Sequence, residues 1–74
     1  MNRLTRDDVG HRVVVRRWVE DETRGLVPSD VVGELLSWRD DGVLTIRTRQ
    51  GELVDVAESQ ILAAKPVPAP RRRP

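Results

Sequence analysis

Between residues 4 and 65, turn-forming residues divide this 74-residue chain into short apolar runs that have the length of β-strands. The first run includes residues 13–15, three consecutive valines, and such a β-branched series suits a pleated strand better than a helix. A chain of this length forms one small domain at most. Because it contains no cysteine, neither a disulfide nor a Cys-based zinc site can stabilise it. The fold must therefore depend on a core of Val, Leu and Ile, on a partner, or on a larger parent protein.

Five strands are predicted, at residues 11–19, 31–39, 43–49, 52–57 and 61–65. The segment 20–30 contains Gly25 and Pro28 between polar residues and is predicted to form a long loop. Asp40, Asp41 and Gly42 predict a tight hairpin turn in which Gly42 adopts the left-handed conformation, and Gly51 marks a second turn.

Two short helical turns are also predicted. Thr5 and Asp8 have the spacing of a capping box, which allows about one helical turn before Gly10 ends it. Residues 58–60 are too few for more than a single 3₁₀ turn ahead of the last strand. Pro66 ends that strand.

Alternation of apolar and polar residues assigns the inward faces of the strands. The residues predicted to face the interior are Val13, Val15, Leu44, Ile46, Val54, Val56 and Ile61. Thr45 and Arg47 lie on the opposite, solvent-facing side of the third strand. In the second strand Leu35 and Leu36 are adjacent, so alternation alone leaves open which of them points inward.

These elements predict an all-β fold, an SH3-like small five-stranded barrel with a short 3₁₀ turn before the last strand. The barrel covers residues 1–65. Residues 66–74, where proline alternates with small residues before an arginine run, are predicted to be an extended linker or a disordered tail. The rival OB-fold needs a longer chain and a helix between its third and fourth strands, for which there is no room.

The composition argues against an enzyme. His11 is the only histidine and is expected to be an ordinary strand residue, so a nucleophile has no candidate base beyond it. Without cysteine or a second histidine, no metal site is expected, and the five dispersed glycines form no phosphate-binding loop. No cofactor is predicted.

No apolar run approaches the ~20 residues of a membrane span, and the N-terminus has no hydrophobic signal region, which predicts a cytoplasmic protein without a membrane partner.

Two features are candidates for interaction. Trp18 and Trp38 are the only aromatic residues, and each is either a contact residue or part of the core or barrel rim. Three of the 13 basic residues, Arg71, Arg72 and Arg73, lie in the tail, so residues 1–65 carry ten basic and twelve acidic side chains. The tail predicts a weak, salt-sensitive contact with phosphates or an acidic surface, or else a solvated linker remnant.

Four segments carry a family resemblance: DVGHRVVVR at 8–16, DVVGELLSW at 30–38, LTIRTRQGE at 44–52 and ILAAKPVP at 61–68. Together they resemble the N-terminal SH3-like domain of actinobacterial, histone-acetyltransferase-like members of the GNAT superfamily, over about residues 4–68. In that family a Pro/Ala-rich linker leads to a catalytic domain that binds acetyl-CoA through a Q/R-x-x-G-x-G/A loop. This chain has no such loop. The resemblance therefore implies an accessory module that works with a GNAT catalytic domain in cis or in trans, and it carries over no catalytic residue.

The alternative function is a small barrel that binds nucleic acid weakly and without sequence preference through its arginine tail. An activity of its own is the third and least supported hypothesis. The sequence leaves open the binding face, the oligomeric state and the substrate of any associated acetyltransferase.

Overall fold

The structure, a computed structural model, describes residues 3–67 and builds them into one antiparallel sheet. Its strands are β1 (Arg12–Asp21), β2 (Gly25–Trp38), β3 (Val43–Thr48), β4 (Leu53–Ala57) and β5 (Ile61–Pro66). Two 3₁₀ turns, Arg6–Asp8 and Glu58–Gln60, precede β1 and β5. The five strands and the 3₁₀ turn before the last one confirm the predicted all-β class and the order of its elements.

The strands are arranged in the order β4-β3-β2-β1-β5. β4 and β5 are therefore the two edges, and within residues 3–67 no hydrogen-bonded ladder joins them. The described sheet is open, so the closed barrel of the prediction is not confirmed. One face of the sheet nevertheless encloses a single apolar core to which all five strands contribute.

The core side chains are Leu4, Val13, Val15, Val31, Leu35, Leu44, Ile46, Val56 and Ala64. Of the seven residues predicted to face the interior, five belong to this set, and Val54 and Ile61 pack against it half-buried. Leu4 reaches the core from ahead of the first 3₁₀ turn, where the backbone N–H of Arg3 donates to the carbonyl of Ala64 (2.7 Å).

A β-bulge in β2 decides which of the two adjacent leucines is buried. The register with β3 shifts between Leu35 and Ser37, so Leu36 is the extra residue. Leu35 is fully buried, whereas beyond the bulge the inward parity changes and Trp38 packs against the core. The structure thus settles the choice between Leu35 and Leu36 that alternation left open, because the bulge exchanges the faces of the strand.

The long loop predicted for residues 20–30 is wrong. β1 and β2 remain paired through most of that segment, for example at Trp18 opposite Pro28, and only residues 22–24 connect them. A proline is tolerated inside β2 because β3 pairs with this strand only from Gly33 onward, which leaves the other edge free beside Pro28. The first hairpin is therefore much longer than predicted.

The turn of this hairpin is organised by an aspartate. The backbone N–H groups of Thr23 and Arg24 donate to Oδ1 of Asp21 at 2.8 and 3.1 Å. These two hydrogen bonds hold the pKa of Asp21 below its ordinary value, because they favour the charged carboxylate. The hydrogen bonds to Asp21 thus fix the conformation of this turn.

The turn between β2 and β3 confirms the prediction made from Asp40, Asp41 and Gly42. Gly42 has a φ of +86°, the left-handed conformation that glycine adopts most readily. Nη2 of Arg39 donates to Asp41 (2.9 Å), and this hydrogen bond is the main reason that the pKa of Asp41 lies below its ordinary value. The aspartates serve turn geometry, as expected for this residue pattern.

The last strand continues one residue beyond its predicted end. Pro66 pairs with Val13, and the backbone N–H of Val67 donates to the carbonyl of Arg12 at 2.8 Å. Contact with the sheet therefore extends two residues past the predicted boundary at 65. Of the predicted linker, residues 68–74 lie outside the described part of the chain.

Candidate interaction surface

Trp38 lies at the rim of the core, held between the two 3₁₀ turns. Its indole Nε1–H donates to Oε2 of Glu58 (3.0 Å), in the second turn. From the first turn, the guanidinium carbon of Arg6 lies 5.3 Å from the centroid of the Trp38 ring, and Nη1 of Arg6 donates to the Trp38 carbonyl at 2.7 Å. These contacts give Trp38 a structural role.

We expect Trp38→Ala to lower the free energy of unfolding by about 2–3 kcal/mol, somewhat less than the loss of a fully buried tryptophan. Trp18→Ala is the matched control, because it removes the same side chain from an exposed position and should cost about 1 kcal/mol or less. Urea denaturation of both variants in dilute solution measures the difference. A larger loss for Trp18→Ala would contradict the assignment of Trp38 to the rim.

Trp18 lies on a two-stranded extension of the sheet. Neither β3 nor β5 pairs with residues 18–28, which we call the arm. Trp18 is 40% exposed and Leu26 is 62% exposed, and with the neighbouring Pro28 they make the outer face of the arm apolar. Single exposed apolar residues are ordinary, whereas a contiguous group of them is a candidate contact surface.

A groove of about 400 Å³ lies on the same outer face, nearer the middle of the sheet. We call it the groove; its lining includes Val14, Ala63, Arg3, Lys65, Arg16 and Asp30. Nε of Arg16 donates to Oδ1 of Asp30 at 3.0 Å, an exposed ion pair that occupies these two charges. The side chains of Arg3 and Lys65 have no ion-pair partner among residues 3–67, so the groove combines an apolar floor with two available cations.

Further arginines surround Glu34 at the end of the sheet where β1 begins. Nη2 of Arg47 donates to Oε1 of Glu34 at 2.7 Å. Arg12 lies opposite Glu34 in the β1–β2 ladder, and together with Arg49 these side chains line a shallow pocket of about 150 Å³. In the described part of the chain, Arg12 and Arg49 form no ion pair. The net negative charge of residues 1–65 is thus unevenly distributed over the surface.

The groups considered for catalysis or metal binding are not brought together. His11 is exposed just ahead of β1. No group of three or more His, Cys, Asp or Glu residues that could hold a metal ion occurs within residues 3–67. No helix in the same range is long and apolar enough to cross a membrane.

Arg71, Arg72 and Arg73 lie outside the described residues. Contact of these arginines with phosphates or an acidic surface therefore stays a prediction. The groove and the arm were not foreseen from the sequence, because each depends on which segments the sheet places side by side.

The observed architecture defines a class of protein. A single antiparallel five-stranded sheet, one small core and a 3₁₀ turn between β4 and β5 are those of a small all-β domain. A family model for the Rv0428c N-terminal Sm-like domain matches residues 7–65, and the chain belongs to this family. Comparison with curated proteins gave no match. Comparison with solved structures gave none either.

Proposed function

We propose that the chain is a non-catalytic accessory module that associates with an N-acetyltransferase domain of the GNAT superfamily, in cis or in trans. The observation that carries the accessory role is the family match over residues 7–65, to a domain described as N-terminal and Sm-like. The association with an acetyltransferase is inferred from the sequence resemblance alone. The four segments that resemble GNAT-associated domains all lie at least partly in this range.

The arrangement of the glycines supports a module without its own acetyl-CoA site. Binding of a pyrophosphate by a loop requires several backbone N–H groups to converge on one place. Gly42 and Gly51 lie in two separate turns, the first against Glu58, whose backbone N–H donates to the Gly42 carbonyl at 2.8 Å. A carboxylate at this position disfavours a phosphate.

We expect the isolated chain to bind a GNAT catalytic domain and not acetyl-CoA itself. The test uses the coding sequence that follows residue 74, or a separate acetyltransferase gene beside it, as the source of the catalytic domain. Calorimetric titration with that domain should give saturable binding. Titration of the chain alone with acetyl-CoA should give no heat beyond dilution.

Two outcomes would overturn the proposal. Saturable micromolar binding of acetyl-CoA by the isolated chain would give it an enzymatic cofactor site. Absence of binding to the catalytic domain, when both proteins are folded by circular dichroism, would remove the accessory role.

A further inference from the structure

The arm and the groove lie on one continuous face of the sheet. Residues opposite each other in an antiparallel ladder share a face, so the β1–β2 register defines successive rows on the outer side. Along the strands these rows are Val14 with Val32, Arg16 with Asp30, Trp18 with Pro28, and Glu20 with Leu26. Lys65 of β5 lies beside the first row and Ala63 beside the second. Four rows span about 20 Å, at about 6.7 Å between rows.

The two ends of this face have opposite charge. At the tip of the arm, the side chains of Glu20 and Glu22 have no ion-pair partner among the described residues, while Asp21 is engaged by the turn and by Arg24. At the groove, Arg3 and Lys65 are likewise unpaired within residues 3–67. Trp18 and Pro28 lie between the two ends, next to the ion pair of Arg16 and Asp30. Val32, which is 42% exposed, lies in the row at the groove end.

Two copies of this face are complementary when they pack face to face with their strands running in opposite directions. A two-fold axis across the strands, level with Arg17, brings the Glu20 row of one copy onto the Val14 row of the other. Leu26 then lies on Val32 of the second copy, and Glu20 lies beside its Lys65. The Trp18 row of one copy lies on the Arg16 row of the other, so that the Trp18 ring can stack on the Arg16 guanidinium.

A second layer packed on its outer face would stabilise the arm. A two-stranded ribbon is marginally stable when no third strand or second layer packs against it. In the arm Asp21 closes the turn, and Val19 and Val27 are half-buried on the inner face. A partner that buries the outer face would stabilise it by removing apolar surface from water.

We propose that the chain forms a two-fold symmetric homodimer in which the acidic, apolar arm of each copy docks in the cationic groove of the other. The occupant is a second copy because both halves of the contact, and their charges, are present on one face of one chain. A contact of this kind is isologous, so it closes at two copies and does not propagate. The dimer is independent of the acetyltransferase association and exists without it.

Sedimentation of the full chain over a concentration series tests the proposal. The weight-average mass should rise from the 8.4 kDa of one chain towards twice that value. The charge-reversed arm variant Glu20→Lys/Glu22→Lys should stay monomeric, and so should the groove variant Arg3→Glu/Lys65→Glu. Glu52→Lys reverses an exposed charge ahead of β4, away from this face, and is the control that should dimerise like the unmodified chain.

Mixing the two variants gives the sharpest result. In a mixed dimer, the lysines in the arm of the first variant face the glutamates in the groove of the second. The other contact joins the unchanged arm of the second variant to the unchanged groove of the first. An equimolar mixture should therefore recover the dimer that each variant alone has lost. The proposal would be overturned if the unmodified chain stayed monomeric at all concentrations. It would also be overturned if both variants still dimerised, or if their equimolar mixture stayed monomeric. Circular dichroism verifies that every variant is folded.

Discussion

We expect Gly33→Ala to leave the domain largely unfolded at room temperature. A Cβ atom on Gly33 would overlap the backbone carbonyl oxygen of Arg47 and lie 2.8 Å from its carbonyl carbon. Both atoms belong to β3, which is paired on both sides, so the backbone cannot move away without loss of ladder hydrogen bonds. The expected cost is about 3 kcal/mol or more, at the upper end for overpacking, and a small domain has little more than ~5 kcal/mol to lose.

Gly51→Ala is the control for this substitution. Gly51 also lacks a side chain, but nothing lies within 4 Å of the position that its Cβ would take. Its φ of +86° makes alanine unfavourable by about 1–2 kcal/mol, and the variant should remain folded. Far-UV circular dichroism and urea denaturation compare the two. Equal stability of both variants would show that β2 and β3 are farther apart at Gly33 than the structure has them.

The sequence predicts β3 and β4 best, because short strands between tight turns depend on local signals. Strict alternation placed Leu44 and Ile46 inside, as observed. Gly42 indicated the preceding turn, and in the structure it has the expected left-handed backbone. The 3₁₀ turn Glu58–Gln60 was predicted residue for residue, since three residues between two strands leave few other conformations.

The errors occur where tertiary pairing overrides local signals. Pro28 indicates a loop when only its neighbours are considered, but at an unpaired edge of a strand its missing N–H costs little. The choice between Leu35 and Leu36 was left open for the same reason, since the bulge at Leu36 appears only in the pairing of β2 with β3. Leu4 was not predicted to be buried because its contact with the core depends on the distant strand β5.

The candidate interaction surface was predictable only in part. The sequence identified Trp18 and Trp38 as candidates, since tryptophans commonly serve contact or packing, but their roles depend on location. Trp38 has Arg6 and Glu58 from distant segments around it, while Trp18 lies on the arm. The groove joins Arg3 and Lys65, which are far apart in the sequence, so no motif could reveal it.

The second large effect is expected in β3, where adjacent residues face opposite sides of the sheet. Ile46 is fully buried, and Ile46→Ala should cost about 2–5 kcal/mol, enough to unfold most molecules of a domain this small. Thr45 points outward, where its hydroxyl donates to Oδ1 of Asp55 at 2.8 Å. Because that hydrogen bond is exposed to water, Thr45→Ala should cost less than about 1 kcal/mol.

Thermal and urea denaturation of the pair test the register of the sheet as well as the burial of one residue. The side-chain period of a strand is two, so a slip of β3 by one position would move Ile46 to the solvent face and Thr45 into the core. A folded Ile46→Ala variant beside an unfolded Thr45→Ala variant would demonstrate that slip. The order expected here, with Ile46→Ala the damaging change, requires Leu44 and Ile46 to share the core face with Val56 of β4, as the β3–β4 pairing has them.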